Sequence, residues 1–512
     1  MINCISPFLS MASQTPSLPA FKGDGVSVTY GDFEKEVRKT AAYFISKGIR
    51  KGDRILILVP MSVDLYRNVL ALFYIGAVAV FLDQWVTLKR FRLCCTLADC
   101  KGIVLNGKFR LLSWLFPETR NIPLKLSPSG RSKMNSNGSE RMNPEDPALI
   151  TFTTGSTGVP KAAERSHGFL LKQLNAVSEE LNANPGETEF TNLPIVLLCN
   201  LANGTSSFLE KIKSGKIPDK KADRFLRNIV KNRVNRITGS PYFILKLAER
   251  AQINARQFPE LKYVLTGGGP VFPNDAIALM DAFPGAKIKV IYGSTEAEPI
   301  AVIDAAILSQ QIIGSVNDGL LVGYPVADIK VKILKLRDYP HEMTGEELVG
   351  SLCGTGEAGE IIVSGPHVLD RYFRNERAFS ENKIISDNTV WHRTGDAGFF
   401  DNAGLLYLCG RAINIFNSVG KMISPFIAEY RLKQIHGIEA GTVIKTGNDV
   451  VLFLELSSDN DNSYLDEIHK IIPGITKVRI IKQMPRDPRH FTKIDYEKLR
   501  ALPAVASRKL EF

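Results

Sequence analysis

The sequence predicts an α/β protein with a large N-terminal domain of mixed sheets flanked by helices, a small β-subdomain and a separate small α+β domain at the C-terminus. Apolar strand runs alternate with amphipathic helices over roughly the first 300 of the 512 residues, a pattern typical of sheets covered by helices. Short β runs punctuated by Gly and Pro follow between residues 321 and 410 and indicate the β-subdomain. The final stretch of about a hundred residues carries strand and helix signals of its own, enough for one small domain.

The first elements alternate between helix and strand in chain order. Residues 32–47 are a predicted amphipathic helix, which follows a hairpin-like segment, VSVTYGD. Residues 54–59, RILILV, are a short apolar strand bounded by glycine and proline, and further strands are expected at residues 78–82 and 102–105. Because helices are expected between these strands, the segment predicts a parallel sheet with helices on its faces. The polar residues 127–146 are interpreted as an exposed loop.

Composition and charge describe a globular protein with a modest excess of basic residues. Hydrophobic residues make up 44% of the chain and charged residues 23%, which excludes a protein that is disordered or collagen-like as a whole. The formal net charge of +11 suits an anionic partner, whether a nucleotide, a membrane surface or a nucleic acid. A slightly basic surface on a large globular protein explains the charge more simply, so no nucleic-acid partner is expected.

Features that bear on location favour the cytoplasm. The longest apolar run, residues 69–82, is shorter than the roughly 18 residues that a membrane span needs, and Gly76 divides it. The N-terminal segment MINCISPFLSMASQ lacks the basic and apolar regions of a signal peptide. The seven cysteines include no CxxC pair, so we expect reduced thiols and neither a disulfide framework nor a zinc site. We predict a cytoplasmic protein, with peripheral membrane contact left open.

The most informative segment is residues 149–165, LITFTTGSTGVPKAAER, in which an apolar strand enters a loop of Thr, Gly and Ser. Backbone N–H groups and hydroxyls of such a loop can surround a polyphosphate, and Lys161 adds a positive charge. The loop is not a Walker A motif, because Pro160 precedes the lysine and Ala162 follows it. The candidate phosphate-binding residues are Thr153, Thr154, Gly155, Ser156, Thr157, Gly158 and Lys161.

Three further segments follow the loop in an order that resembles the adenylate-forming superfamily of acyl-CoA synthetases, luciferases and peptide-synthetase adenylation domains. The glycine-rich turn GGGPV lies at residues 267–271, the motif YGSTE at residues 292–296 and the motif TGD at residues 394–396. A Gly-Arg pair at residues 410–411, then Gly420 and Pro425, is similar to the domain junction of that superfamily. Each motif is weak alone, but together they span most of the chain.

The resemblance implies a role for each motif residue in binding ATP and Mg²⁺. Tyr292 would offer its ring to adenine, and Asp396 and Arg411 would bind the ribose. Glu296 would be an oxygen ligand of Mg²⁺, and Thr295 would donate to the α-phosphate. The glycines beside the nucleotide would be Gly268, Gly269 and Gly293.

The C-terminal domain is expected to be a lid that carries a catalytic lysine. In the superfamily this lysine lies near the end of the chain, and Lys493 in the segment MPRDPRHFTKIDYEKLR matches its place. A cation there would stabilise the attacking carboxylate and the charge that develops at the α-phosphate. The predicted domains are residues 1–411, which bind the nucleotide, and residues 412–512, the lid, joined through Ala412, Ile413 and Asn414.

Departures from the common superfamily pattern resemble one branch, the β-lactone synthetases of long-chain olefin biosynthesis. Ala162 replaces a glycine, Ile413 replaces the usual hinge Asp or Lys, and Asn417 stands where some thioester-forming relatives carry lysine. Residues 192–207, NLPIVLLCNLANGTSS, and the ending DPRHFTKI, with Arg489 and His490, are similar to that branch. The branch adenylates a 3-hydroxy fatty acid, whose own hydroxyl then displaces AMP without CoA.

Two other functions stay open at this point. A fatty acid–CoA ligase, which would use CoA as a further substrate, is the alternative second step. A non-catalytic scaffold at a membrane surface is an alternative of another class, since residues 108–116, KFRLLSWLF, are basic and aromatic. His490 is a candidate general base, although a contact to ribose or phosphate is an equal interpretation. Acyl chain length and oligomeric state are left open.

Overall fold

The computed structural model describes residues 2–23, 25–82, 88–107, 116–136, 138–154, 160–210, 216–457, 464–486, 494–502 and 508–510, which form helices and strands. The helices there are α1 Ser6–Gln14, α2 Tyr30–Ser46, α3 Val63–Tyr74, α4 Leu88–Ala98, α5 Pro117–Arg120, α6 His167–Leu181, α7 Pro194–Asn203, α8 Asp219–Lys231, α9 Pro241–Ile253, α10 Pro273–Ala282, α11 Ala305–Leu308, α12 Gly345–Gly350, α13 Glu376–Asn382, α14 Pro425–Leu432, α15 Tyr464–Ile471 and α16 Tyr496–Arg500. The strands are β1 Pro19–Gly23, β2 Val26–Thr29, β3 Arg54–Leu58, β4 Val78–Phe81, β5 Gly102–Leu105, β6 Leu124–Leu126, β7 Pro147–Thr154, β8 Pro160–Ser166, β9 Thr188–Thr191, β10 Ser206–Phe208, β11 Arg236–Gly239, β12 Tyr263–Gly267, β13 Lys287–Ser294, β14 Ala297–Asp304, β15 Leu320–Pro325, β16 Lys330–Leu334, β17 Glu342–Met343, β18 Gly359–Ser364, β19 Lys383–Ser386, β20 Thr389–Phe400, β21 Leu406–Arg411, β22 Phe416–Ser418, β23 Lys421–Ile423, β24 Ile438–Thr446, β25 Asp449–Leu456, β26 Lys477–Ile480 and β27 Arg508–Leu510.

The first sheet consists of short apolar strands from the N-terminal part of the chain. In its order, β6-β5-β3-β4-β7-β8, all neighbours are parallel except the pair β7–β8. Strand β3 is apolar because helices cover both faces of a parallel sheet, and its central residues are buried. The predicted parallel sheet is therefore confirmed. The helix expected at residues 32–47 is α2, which begins at Tyr30 because the Thr29 side chain caps the N–H of Asp32.

The second sheet joins a parallel half to an antiparallel half. Its order within the described residues is β16-β18-β20-β21-β15-β14-β13-β12-β11-β9-β10-β1-β2. Strands β9 to β13 are parallel because helices α7 to α10 connect them as crossovers. In the part of this order from β16 to β13, neighbouring strands pair antiparallel, which confirms the predicted β-subdomain. The sequence motifs lie where the two halves join.

The C-terminal residues form a four-stranded sheet of their own, in the order β24-β25-β26-β27. Its apolar core includes Leu432 of α14, Leu452 of β25 and Ile468 of α15. Helix α14 also contacts the larger domain, because Ile427 is buried among residues of the second sheet. The predicted α+β domain at the C-terminus is confirmed, whereas the boundary between residues 411 and 412 stays a prediction.

The cysteines carry free thiols, as their spacing predicted. Burial raises the pKa of the Cys95 thiol to about 12, so this thiol is protonated at neutral pH. Among the helices of the described residues, none combines the length and the apolar character that crossing a bilayer requires. The basic aromatic segment 108–116, which supports the membrane-surface alternative, lies outside the described residues apart from Phe116.

Candidate active site

The motif segments meet at the junction of the two halves of the second sheet. The turn at residues 267–269 follows β12, the segment 292–296 joins β13 to β14, Asp396 lies in β20 and Arg411 ends β21. Strand β13 pairs with both β12 and β14, and Asp396 and Arg411 are register partners. Because β12 and β13 are parallel, their carboxyl ends lie at the same edge, which is where α/β sheets bind ligands.

Tyr292, Asp396 and Arg411 form one hydrogen-bonded group. The Tyr292 hydroxyl donates to Oδ2 of Asp396 at 3.0 Å, and the Arg411 guanidinium donates to Oδ1 at 2.8 Å. The Arg411 side chain is 58% exposed and that of Asp396 is 17% exposed, so the pair lies at the protein surface. The Asp396 carboxylate raises the pKa of Arg411, while burial, followed by Asp396, raises the pKa of Tyr292. The group presents a ring, a carboxylate and a cation side by side.

Gly395, next to this group, cannot carry a side chain without strain. Its φ angle is +70°, in the left-handed region, and an added Cβ would lie 3.3 Å from a guanidinium nitrogen of Arg411. The TGD motif therefore requires glycine at its centre for a local reason. Glycine here lets the Arg411 side chain lie against the backbone beside Asp396.

Glu296 lies between β13 and β14 among cationic side chains. Burial lowers the pKa of Lys161, Lys383 and Arg165, and in each case the Glu296 carboxylate is the largest opposing influence. The same carboxylate contributes to the raised pKa of Arg411. Four cationic side chains therefore interact with the single Glu296 carboxylate, and cations gathered at one place suit a polyanion such as a triphosphate.

Lys161 lies at the start of β8, directly after the loop that the sequence predicts to bind phosphate. Its Nζ atom donates to Oδ1 of Asn382 at 2.8 Å and lies 5.9 Å from the centre of the Tyr372 ring. The residue is only 9% exposed. An amine that is held by an amide and a ring is placed to meet an anion with little loss of side-chain entropy.

Arg165 is hydrogen-bonded to the backbone of the YGSTE motif. Its guanidinium donates to the carbonyl oxygen of Thr295 at 2.8 Å and to the Thr151 hydroxyl at 2.6 Å. The arginine is buried, whereas Thr295 is exposed, so the contact fixes backbone and leaves the Thr295 side chain free to face a ligand. Thr151 belongs to the strand that leads into the phosphate loop, so Arg165 links the two motifs.

Gly293 permits a close approach between β13 and β14. A Cβ at this position would lie 2.9 Å from the carbonyl oxygen of Ala297 and 3.3 Å from Cα of Glu298. The adjacent turn at residues 267–269 contains Gly268, which has a φ of +80° and is exposed, and Gly269. The glycines of both motifs therefore keep the edge of the sheet clear of side chains.

Several predicted site residues lie outside the described residues. These are Gly155, Ser156, Thr157 and Gly158 of the phosphate loop and Arg489, His490 and Lys493 near the C-terminus. Thr153 and Thr154 are described as backbone of β7 only. The roles predicted for all of them stay predictions.

The predicted hinge is a single turn of 3₁₀ helix at Ala412–Asn414. Ile413 is 79% exposed, and Oδ1 of Asn414 accepts a hydrogen bond of 3.1 Å from Arg500 in α16. The Lys445 amine donates to the carbonyl oxygen of Asn417 at 3.1 Å. Both contacts tie this segment to the C-terminal domain, and its role as a hinge stays a prediction.

The half-buried residue Glu298 lies near the apolar layer between α6, α7 and the second sheet. Burial raises the pKa of Glu298, and Arg165 opposes the change. The carboxyl also contributes to the raised pKa of Cys199, which belongs to that apolar layer. Among the described residues, Glu298 has neither a hydrogen-bond nor an ion-pair partner.

Sequence reasoning missed Tyr372, Lys383, Arg165 and Glu298. Arg165 lies at the end of the loop segment and Glu298 lies two residues after Glu296, so proximity to known motifs could have indicated both. Lys383 opens an apolar run, KII, and is fully buried, which is unusual for lysine. Nothing in the sequence near Tyr372 points to the site, because its partners there lie far away in the chain.

Comparison with known proteins places the chain in a family. A protein-family model, described as AMP-binding enzyme, matches residues 8–373 of the sequence. The olefin beta-lactone synthetase of Stenotrophomonas maltophilia (strain K279a) is 27% identical over 507 residues, which cover 93% of this chain and 91% of that protein. A putative acyl–CoA ligase of Bacillus subtilis (strain 168) is 25% identical over 451 residues, or 83% of each chain.

A solved structure shares the fold over nearly the whole chain. The O-succinylbenzoate coenzyme A synthetase of Bacillus subtilis, in complex with AMP, superposes with a TM-score of 0.79 at 20% identity and covers 96% of this chain and 98% of its own. The resemblance stated from the motifs is therefore confirmed, as is the prediction of an enzyme. With the family model matching more than half of its length, the chain belongs to the AMP-binding enzyme family of adenylate-forming ligases and synthetases.

Proposed function

We propose that the protein activates a fatty-acid-like carboxylic acid with ATP, forming an acyl-AMP and releasing pyrophosphate. The observation that supports this most is the meeting of Tyr292, Asp396 and Arg411 with the cations around Glu296 at one edge of the sheet. The first group matches a nucleoside, with an aromatic face and a carboxylate acceptor for hydroxyls. The second matches a triphosphate.

The residues fit ATP and Mg²⁺ in the following way. Tyr292 would stack on adenine, Asp396 and Arg411 would bind the ribose hydroxyls, and Lys161 would bind phosphate oxygens with the loop before it. Glu296 offers a hard oxygen ligand, the kind that Mg²⁺ prefers. The ion would neutralise phosphate charge and make pyrophosphate a better leaving group. The chain itself orients the nucleotide and holds the acid against the α-phosphate.

For the second step, we propose ring closure of a 3-hydroxyacyl-AMP to a β-lactone. The oxygen of the substrate hydroxyl attacks the acyl carbon, AMP departs with the electron pair of the broken C–O bond, and the hydroxyl proton passes to a base. Similarity to a protein named olefin beta-lactone synthetase over 93% of this chain supports this step. The half-buried carboxyl of Glu298 also supports it, because a carboxylate near an apolar layer can accept a hydrogen bond from the hydroxyl of a 3-hydroxy acid.

A fatty acid–CoA ligase is the second candidate. The similarity to a putative acyl–CoA ligase over 83% of the chain favours it. In that reaction the CoA thiolate, not an internal hydroxyl, would displace AMP. Asn417, at a position where some thioester-forming relatives carry lysine, weighs against this reaction.

The test is product analysis with a panel of plain and 3-hydroxy fatty acids, each with and without CoA. We expect pyrophosphate release with both kinds of acid, and a β-lactone from 3-hydroxy acids alone, independent of CoA. Thioester from a plain acid at the full rate would replace the lactone proposal with the ligase. Absence of ATP–pyrophosphate exchange with every acid would overturn the adenylation proposal itself.

A further inference from the structure

Tyr372 lies where the backbone links the phosphate lysine to the YGSTE motif. It forms an isolated bridge to Ala163, two residues after Lys161, and the next residue donates its N–H to the carbonyl oxygen of Ala162 at 2.8 Å. Three residues before Tyr372, the N–H of Leu369 donates to the carbonyl oxygen of Glu296 at 2.7 Å. The segment 369–373 is therefore hydrogen-bonded to both motifs.

The Tyr372 side chain makes contacts to charged groups of both motifs. Its hydroxyl donates to Oε1 of Glu296 at 3.3 Å, and the residue is 6% exposed. The Lys161 amine lies over its ring at 5.9 Å from the centre, and the amine of Lys383 lies over it at 5.5 Å. Lys383, itself fully buried, also donates to the carbonyl oxygen of Leu369.

This arrangement is more than core packing. A fully buried lysine is costly, and burial lowers the pKa of Lys383 to about 7 against the opposing influence of Glu296. An apolar residue at position 383 would fill the space without that cost. The Tyr372 side chain instead contacts two amines and one carboxylate, so it can fix the positions of these charged groups.

We infer that Tyr372 is a positioning residue for the nucleotide site: its hydroxyl orients the Glu296 carboxylate, and its ring, packed against Lys383, holds the Lys161 amine. The inference rests on the proposed roles of Glu296 toward Mg²⁺ and of Lys161 toward phosphate. Groups that orient a metal ligand typically contribute about 10- to 100-fold to metal affinity, although they never touch the ion. The hydroxyl of Tyr372 contacts Glu296 and its ring contacts Lys161, so substitutions can test the two effects separately.

The experiment measures binding of ATP to the full chain by titration calorimetry, once with Mg²⁺ and once with EDTA, without any acid substrate. For the wild type we expect a gain in affinity from Mg²⁺. In Tyr372→Phe the increase in ATP affinity caused by Mg²⁺ should be about 10-fold smaller, because the hydroxyl is lost. The affinity for metal-free ATP should equal that of the wild type, because the ring remains. Tyr372→Leu should lower the affinity for ATP both with and without Mg²⁺, because the aromatic ring that contacts Lys161 is removed. Thermal melting verifies that each variant is folded.

The matched control is Tyr407→Phe. The Tyr407 hydroxyl contacts a carboxylate oxygen of Asp401 at 3.4 Å, so the substitution removes the same atom from the same kind of pair elsewhere in the domain. This variant should keep the full gain from Mg²⁺. If Glu296→Gln loses the gain and Tyr372→Phe keeps it, the inference is wrong while the role of Glu296 stands. If Glu296→Gln keeps the gain, the proposed metal ligand is wrong, and the role of the Tyr372 hydroxyl falls with it.

Discussion

The rings of Phe272 and Tyr430 stack face to face, with centroids 4.3 Å apart and 7° between their planes. Phe272 precedes α10 in the large domain, and Tyr430 belongs to α14 near the start of the C-terminal region. Arg431 adds a hydrogen bond of 2.6 Å to the carbonyl oxygen of Ile313. Helix α14 is thus bound to the larger domain, although the predicted lid includes it.

The first prediction concerns this contact. Tyr430→Ala should loosen α14 and speed hydrogen–deuterium exchange in residues 412–432, because an aromatic pair contributes about 0.5–1.5 kcal/mol beyond its buried area. Exchange in the first sheet should not change. Tyr324→Ala, at a tyrosine that is 56% exposed, is the control and should exchange as the wild type does. Unaltered exchange in Tyr430→Ala would show that the stack does not restrain the C-terminal region.

The second prediction tests the nucleoside group. Asp396→Asn removes the charge that Arg411 and Tyr292 contact, so the affinity for ATP should fall by about 10- to 100-fold, the scale of one hydrogen bond to a charged group. The control is Asp338→Asn, at an exposed aspartate. Equilibrium binding of ATP is the measurement. Binding that is equal in both variants would contradict the assignment of Asp396 to the ribose.

The third prediction concerns catalysis at the metal ligand. Glu296→Gln should remove most ATP–pyrophosphate exchange at low Mg²⁺ and leave the fold intact, because the substitution keeps the shape of the side chain and removes its charge. Excess Mg²⁺ should restore part of the activity. The control Glu346→Gln, at an exposed glutamate of α12, should catalyse ATP–pyrophosphate exchange at the wild-type rate. Exchange by Glu296→Gln at the wild-type rate would exclude this residue as a ligand.

Motif spacing predicted those parts of the site whose residues act through short local patterns. Asp396, Arg411, Tyr292 and Glu296 were each indicated by a motif, and the structure brings them to one edge of the sheet. Their roles in binding the nucleotide stay predictions. The alternation of strands and helices likewise predicted the sheets, since burial on both faces produces continuous apolar runs.

Contacts between distant segments could not be predicted in this way. The Tyr372 hydroxyl meets Glu296 from 76 residues away, and no periodicity of the sequence encodes such a pair. Lys383 looks like an ordinary surface lysine until the strands on both sides of it are in place. The packing of α14 on the larger domain was missed for the same reason, because the apolar residues of a short helix do not reveal which domain they contact.

The fourth prediction follows from a buried carboxyl in the C-terminal domain. Burial raises the pKa of Glu429 from 4.5 to about 7, while hydrogen bonds from Tyr496 and Thr442 and the charge of Arg486 act in the opposite direction. Between those two pH values the folded protein keeps a proton that the unfolded chain has lost. The free energy of unfolding should therefore fall as the pH rises through this window, by at most about 1.4 kcal/mol per unit.

Glu429→Gln should remove this dependence, because the amide does not titrate. The measurement is thermal melting of the full chain at several pH values from 4.5 to 8, with Glu439→Gln, at an exposed glutamate of β24, as the control. The control should decline with pH as the wild type does. A wild type whose melting temperature does not fall between pH 5 and 7 relative to Glu429→Gln would contradict the raised pKa.

The last prediction separates the two half-reactions through Lys493 and His490. Lys493→Ala should slow adenylation by about 10²- to 10³-fold, the scale of one removed electrostatic donor, because the lysine would meet charge at the carboxylate and the α-phosphate. Consumption of a preformed acyl-adenylate should suffer less, since that charge has already been resolved. His490→Ala should show the reverse if His490 is the base for the substrate hydroxyl: pyrophosphate is released, and 3-hydroxyacyl-AMP accumulates.

Single-turnover product analysis by mass spectrometry distinguishes these outcomes, with pyrophosphate release measured in parallel. Lys498→Ala is the matched control, because this lysine lies five residues beyond Lys493 and its side chain is exposed, paired with Asp495. It should leave both steps unchanged. Lactone formed by His490→Ala at the wild-type rate would exclude His490 as the base, and an equal loss in both steps with Lys493→Ala would indicate that the lysine binds the nucleotide throughout rather than stabilising the first transition state.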